Sequence, residues 1–573
     1  MSLSVGDLPS TTDVLVIGTG FGGSVMASRL AEGGRDVCVL ERGRAYPPGS
    51  FPRSPTGVGM NFWDPSAGLH GLFNAWSFSG IDAVVSSGLG GGSLIYANVL
   101  LRMDRSWFRQ PHPYEPGVLE DWPISYDDLE SHYQRVEDFL DVQQLPFTEP
   151  GFALAKTAAM HHASGGRGFA LAPLAVRFRD GAGKAVVGAE LPEAAYPSIH
   201  GSWRRTCRLC GECDVGCNEG AKSTLDHTYL SAASKAGASI HVQSEVRSLA
   251  RRDDGRFDVG VVVHRPEEGG RPGRALPVHT ITANEVVLSA GTLGSTYLML
   301  ASRDALGVSS PALGTRFCGN GDMLGFVLRA DRELSGSVGP VITSYIRYAD
   351  QVDTDDGRDR GMYVEDAGYP AFAAWLAEVT QGGRLAGRLT KLLAQRAVAR
   401  VTGTRRTDLS ADVSTLLGPG AFTRDALPLL GMGRDVPDGT LYLRDPHAKQ
   451  PVMDSTWTVE TSRTYYDLMR TRMDDLAGTL GGRFVVNPTY RLRRVITVHP
   501  VGGCPVGHVP AYRRGGCPRP RPRGPGPARG RRLGPPGSGG RQPRAHHRGV
   551  RRPRRRRRPR PGVRAATCAS PRR

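Results

Sequence analysis

Near the start of the chain an unbroken apolar run, VLVI at 14–17, gives way to glycines and then to mixed apolar and polar positions over 24–32. A short apolar run bounded by turn residues marks a strand buried on both faces, and the mixed stretch behind it predicts an amphipathic helix. A second apolar run over 37–40 predicts a neighbouring strand that ends at Glu41. The stretch WPISYDDLESHYQRVEDFL at 122–140 predicts a helix with Ser125 as N-cap and Asp127 and Asp128 in its first turn. SEVRSLARRDDG, around Val246, predicts a strand, and VVLSAGTLGSTYLML at 286–300 predicts a buried strand, a turn and a helix. GRLAGRLTKLLAQRAVARV at 383–401 puts Leu385, Leu389, Leu392 and Leu393 on one helical face with Arg and Lys opposite. Such a helix packs on its own core or lies on a bilayer surface. No run approaches the eighteen or so apolar residues of a membrane span.

Composition changes this picture in one place. The 573 residues suffice for two domains, possibly interleaved in sequence, and the formal charge is +18. Yet 22 of the 73 Lys and Arg residues lie in 511–573, where there is no acid, leaving 51 bases against 55 acids before it. The body is mildly acidic, which excludes a generally basic nucleic-acid-binding protein. The chain opens without a basic and then apolar leader, and nine cysteines do not form the even set of a secreted disulfide framework. Both point to a cytoplasmic or membrane-peripheral protein.

The turn after the first strand reads GTGFGG. Gly18, Gly20 and Gly23, with Phe21 and Gly22 between them, form G-x-G-x-x-G. The first glycine permits the tight turn, the second lets a pyrophosphate approach, and the third allows close helix–strand packing. Glu41, at the end of the second strand, is placed to accept ribose hydroxyls, which argues against a 2′-phosphate. These residues do not separate NAD from FAD. A second glycine loop, SSGLGGGSLIYANVLLR, bears on that choice through Gly90, Gly91, Gly92 and Ser93, followed by Asn98.

This loop resembles the one that packs on the flavin in the glucose–methanol–choline (GMC) family of FAD oxidoreductases. The resemblance runs from about residue 13 to about 507, with a poorly matched middle. It implies FAD as cofactor, Val246 as the adenine-holding backbone, and Ala290 and Gly291 as the return to the FAD domain. VHPVGGCPVG at 498–507 resembles the family's H-P-x-G-G-C-x-M-G signature with Val506 for Met, making His499 the catalytic histidine beside the flavin. An imidazole suits removal of a hydroxyl proton as hydride leaves carbon.

Cys207, Cys210, Cys213 and Cys217, spaced C-x2-C-x2-C-x3-C, allow zinc or iron–sulfur binding, with a reduced or disulfide-linked structural loop as the alternative. The loop precedes AKSTL and is similar to one in the cholesterol-oxidising branch. The implied fold is α/β: a Rossmann-like FAD domain interleaved with an α+β substrate domain on a mostly antiparallel sheet, and a disordered C-terminal tail. The implied segments are 1–110 and 206–310 for FAD and the Cys-rich loop, 111–205 for a cap, 311–485 for substrate, 486–510 for the histidine motif, and 511–573 for the tail.

The implied activity is oxidation of a 3β-hydroxysteroid such as cholesterol, with O2 or another acceptor reoxidising FAD. A dehydrogenase for another alcohol or sugar, an inactive flavin scaffold and a basic-tailed nucleic-acid binder are the alternatives. The family's closing segments, including NPSLTIAA with its second catalytic Asn, do not appear. Reading RQPRAHHRG one nucleotide later permits ANPALTIA; RGRRLG permits VADGSV and YRRGGC permits TGVVDA, in one frame and in family order. The tail therefore reads as that ending translated out of frame, from a shift just before Tyr512, and the chain as written is expected to have weak activity. A genuine disordered basic arm is the rival.

Overall fold

The computed structural model describes residues 3–266, 276–348, 360–370, 426–448 and 451–507. The expected helix at 383–401 and the tail at 511–573 lie outside the described residues, as do the expectations attached to them.

A six-stranded sheet runs in the order Ser239–His241, Val37–Leu40, Thr11–Ile17, Val278–Leu288, Phe257–Val263, Ser244–Arg251. Its first four strands are parallel, and Phe257–Val263 pairs antiparallel with both Val278–Leu288 and Ser244–Arg251. Val14, Leu15 and Val16 are fully buried because helices or loops cover both faces, the condition that an unbroken apolar run meets. The helix Phe21–Glu32 starts three residues earlier than the apolar spacing suggests, directly on Gly20 as N-cap. Tyr126–Leu140 begins where expected, with Ser125 and Asp128 exchanging hydrogen bonds in a capping box.

The second sheet also has six strands: Arg483–Val486, Met323–Leu328, Leu427–Gly433, Met362–Asp366, Ser344–Tyr348, Phe169–Leu171. All its pairings are antiparallel. The helix Arg463–Thr479 buries Tyr465, Tyr466, Met469, Met473 and Leu476 in the core on one side of this sheet, and the other side faces a large cleft. The fold is thus α/β, a Rossmann-like dinucleotide sheet joined to an antiparallel substrate-side sheet.

A small third sheet positions the histidine motif. Val495–Thr497 pairs parallel to Ile81–Ser86, which pairs antiparallel to Phe73–Ser77. Arg494 clamps this sheet through two hydrogen bonds to Asp82.

Candidate active site

The two glycine loops meet. Gly18 lies at φ +94°, where a Cβ would come within 2.5 Å of the Ser289 carbonyl, and a Cβ on Gly23 would lie 1.9 Å from the Gly18 carbonyl. Gly91, at φ +54°, packs so closely that its Cβ would sit 2.6 Å from the Gly20 Cα. Gly20 and Gly92 face open space instead and line the cleft. Among the described residues the helix behind Gly20 has no side-chain cap, and neither has Gly291–Ala301 behind Ala290. Two uncapped helix N-termini therefore border one cleft, each with free N–H groups and a positive dipole end suited to an anion.

Thr19, which the motif leaves unspecified, ties these parts together. Its hydroxyl donates to Glu41 Oε2 at 2.6 Å and accepts from the Gly90 N–H at 3.0 Å. Glu41 lines the cleft, but Oε2 also accepts from the Thr19 N–H and Oε1 from the Gly43 N–H. Burial raises its pKa against those hydrogen bonds. With about four acceptor positions on a carboxylate, Glu41 has one left on Oε1. It braces the turn and has room for a single further hydroxyl.

Val246 lines the same end of the cleft, beside residues that sequence reasoning missed. Trp63, His70 and His264 form a ring cluster with centroids 5.2–5.6 Å apart, and the Arg42 guanidinium lies 5.4 Å over Trp63. Aromatic residues scattered through loops carry no sequence pattern that announces such a cluster.

Gly90, Ser93 and Gly23 act from behind the surface. Ser93 accepts from the Leu225 N–H and donates to the Gly90 carbonyl. Asn98 departs from expectation. It is fully buried at φ +73°, does not line the cleft, and its carboxamide lies against the Cys213 thiol, while Ala97 and Val99 face the cleft.

The cysteines also depart from the metal reading. All four are free thiols, and among the described residues no three His, Cys, Asp or Glu side chains are arranged to hold a metal ion. Cys207 and Cys213 are packed with Phe152, Phe178 and Val341, so they serve as small apolar core residues. Burial pushes the Cys207 thiol well above its ordinary range and Cys210 up to about 12, so without a bound cation both stay protonated at neutral pH.

At the other end of the cleft is His499. Its Nδ1 lies 3.0 Å from each Asp322 carboxylate oxygen, and its backbone N–H donates to Thr497 Oγ1 and to Asp322. Asp322 is 2 % exposed and also accepts from the Val498 N–H and the Thr497 hydroxyl. The His499 ring is 38 % exposed, and it lines the cleft. Burial lowers its pKa, but the Asp322 charge and hydrogen bond, with Glu365 beyond, outweigh that and raise it.

Glu365 is fully buried on the strand Met362–Asp366 and lines the cleft, and among the described residues neither carboxyl oxygen has a hydrogen-bond partner. Burial, partly offset by His499, pushes its pKa up to about 8. Its neighbour Asp366 is on the opposite face of the strand, where Thr343 and Ser344 satisfy it and Lys156 lies 3.4 Å away. In register with Glu365 stands Leu430, and with Leu430 Leu324, so one cross-strand row of the cleft is two leucines and an acid. Phe326, Pro428 and Met432 extend the apolar wall.

The cleft encloses about 2580 Å³, well beyond the ~300–1,000 Å³ of a typical small-molecule pocket. It can hold a dinucleotide and a substrate together. The glycine turns, the two uncapped helix ends and the remaining acceptor on Glu41 fit a long diphosphate-containing cofactor, and His499 closes the end where chemistry would occur.

Such a site on a Rossmann-like sheet joined to an antiparallel one defines a dinucleotide-binding protein. Residues 13–318 match the GMC oxidoreductase family model, and the chain belongs to that family, whose members bind FAD. It is 34 % identical over 292 residues to a cholesterol oxidase of Mycobacterium tuberculosis, covering 51 % of this chain and 48 % of that one. It is 30 % identical over 340 residues to a cholesterol oxidase of Acinetobacter baumannii, covering 58 % of each. Paromamine 6'-oxidase of Streptomyces fradiae is 27 % identical over 304 residues, covering 51 % and 49 %. The chain spans about half the length of the curated relatives it matches. The crystal structure of pyridoxine 4-oxidase from Mesorbium loti aligns with a TM-score of 0.46 at 16 % identity, over 87 % of this chain and 90 % of that one.

Proposed function

We propose that the protein oxidises an alcohol CH–OH group to a carbonyl, with a 3β-hydroxysteroid such as cholesterol as substrate and O2 or another acceptor as final oxidant. The observation that carries this reading is His499, held by Asp322 at the end of a dinucleotide cleft and next to an apolar wall. Bound FAD supplies the acceptor for the hydride that leaves carbon. The protein's part is the proton. Asp322 engages Nδ1, so that nitrogen carries the hydrogen and Nε2 is the acceptor for the substrate hydroxyl.

The sterol assignment rests on the cholesterol oxidase relatives and on the wall of Leu324, Phe326, Leu430 and Met432. The resemblance to cholesterol oxidases also implies a carboxyl that shifts the ring double bond after oxidation, a group the sequence alone does not place, and we assign that role to Glu365. With its pKa pushed up to about 8 it is mostly protonated at neutral pH. Its ionised fraction, which grows as pH rises, is a stronger base than an ordinary carboxylate and can take a proton from carbon and return it. A more polar alcohol or sugar is the second reading, favoured by Asp214, whose buried Oδ1 has no hydrogen-bond partner among the described residues and which lines the same cleft. Incubation with cholesterol and chromatography of the products tests the choice: the conjugated ketone supports the sterol reading, and its absence alongside turnover of a polyol sinks it.

We infer further that residues 511–573 are the family's closing segment translated out of frame, and that the chain as written lacks the second catalytic Asn. Sequencing the gene across codons 505–520 and measuring the intact mass tests this. An unbroken frame together with the mass of the full Arg-rich chain contradicts a sequencing error.

A further inference from the structure

Lys222, in the AKSTL stretch behind the cysteines, is 1 % exposed. Its Nζ donates to three backbone carbonyls, Leu94 at 3.1 Å, Tyr96 at 2.9 Å and Cys213 at 2.9 Å, and lies 4.8 Å from the Tyr96 ring centroid. Three acceptors match the three protons of an ammonium, so the site is built for the charged form. Leu94 and Tyr96 belong to the loop whose Ile95, Tyr96, Ala97 and Val99 line the cleft, and Cys213 belongs to the Cys-rich loop. Across the trans peptide that follows Tyr96, the carbonyl taken by Lys222 turns the Ala97 N–H to the opposite side. That N–H makes no backbone hydrogen bond among the described residues.

We propose that Lys222 is a positioning residue of the flavin site, which clamps the flavin-facing loop to the Cys-rich loop and places buried positive charge behind it, favouring the reduced, electron-rich form of the cofactor. The proposal rests on the assignment of FAD to this cleft. It gives the Cys-rich loop a role that needs no metal: it supplies one wall of the ammonium's cage.

The groups that face Lys222 are Cys213, Cys217 and Asp214 from the Cys-rich loop, Asp226 from the turn that follows, and Tyr96 from the flavin-facing loop. Burial raises the Cys213 thiol, which stays neutral, and pushes Asp214 up to about 6, so it is ionised at neutral pH. Lys222 therefore offsets a carboxylate that itself lines the cleft. Burial brings its own pKa down to about 8, so its charge is present at neutral pH and lost above that value.

The test is the midpoint potential of the flavin in the intact holoprotein, for wild type, Lys222→Met and Lys222→Arg, at about pH 7 and about pH 9, either side of the lysine's titration. The expected result is a more negative potential for Lys222→Met at the lower pH, with the gap to wild type closing at the higher. Lys222→Arg should match wild type at the lower pH and stay above it at the higher, because a guanidinium does not titrate there. A merely structural lysine would not give this pH-dependent rescue. Coincident potentials for wild type and Lys222→Met at the lower pH would overturn the proposal. If Lys222→Met does not fold, Lys222→Gln carries the same comparison, and its coincidence with wild type at the lower pH would do the same. A wild-type protein purified without any flavin absorbance would overturn the cofactor assignment itself, and is seen before any potential is measured.

Discussion

His499 and Asp322 are 177 residues apart in the chain and 3.0 Å apart in the fold. Replacing His499 by Asn removes the proton acceptor but not the cofactor cradle. The rate should fall by about 10²–10⁴-fold, with the visible flavin spectrum retained; loss of flavin together with activity would point to a structural histidine. Asp322 raises the His499 pKa, so the imidazole becomes free to accept a proton only above its ordinary range. The acidic limb of kcat/KM should therefore lie above the ordinary histidine value, and Asp322→Asn should move it to lower pH while slowing the reaction. An unmoved limb would mean that another group sets it. Glu365 gives a separate signature. Its folded pKa is raised from 4.5 to about 8, so the folded state holds a proton the unfolded state has lost across that window. Stability therefore falls as pH rises through it. Glu365→Gln should gain in Tm over wild type as pH rises from acid to about 8 and level off beyond; a pH-independent difference would contradict the buried neutral acid.

At the scale of elements, the continuous strands and the first glycine turn were readable because their geometry is local. VLVI needs burial on both faces, G-x-G-x-x-G needs positive φ and close approach, and Ser125 needs only the residues that follow it. The contact of Gly91 with Gly20 joins segments about seventy residues apart, and no local pattern reports it. Gly91→Ala should cost about 1–3 kcal/mol for a strained backbone, and more for the clash, and should release FAD; unchanged Tm and flavin content would show that the loops do not touch as described. Glu365 escaped the sequence because its environment comes from pairing with Leu427–Gly433, across residues whose pattern fixes no register. The cysteine spacing is the opposite case: it is a local pattern open to both a metal and a structural reading, and two of its thiols, Cys207 and Cys213, are buried in the core. Cys210→Ser, at the partly exposed edge of the loop, should change stability by about 0.5 kcal/mol or less, and metal analysis should find no stoichiometric zinc or iron. A bound metal at one equivalent would reverse that reading.

For the whole molecule, formal charge is the least informative number. Its +18 comes from an Arg-rich segment, and the body that forms the two large sheets is mildly acidic. The family match over 13–318 covers the cofactor half and stops before His499, so the catalytic end rests on geometry and on the short motif at 498–507. Among the described residues no helix is long and apolar enough to cross a membrane, and the amphipathic stretch at 383–401 lies outside them. If the tail is misframed, restoring the frame should raise turnover well above that of the chain as written; equal turnover would show that the closing Asn is not needed.

The central claim is that His499, the apolar wall and an FAD cleft together oxidise a sterol alcohol. Anaerobic addition of cholesterol to the flavin-loaded protein tests it most directly, because it isolates reduction of the cofactor from every later step. The account predicts bleaching of the flavin absorbance by cholesterol, abolished in His499→Asn and restored by O2 or another electron acceptor. A flavin spectrum that cholesterol leaves unchanged in the frame-restored protein, while another alcohol bleaches it, would contradict the claim.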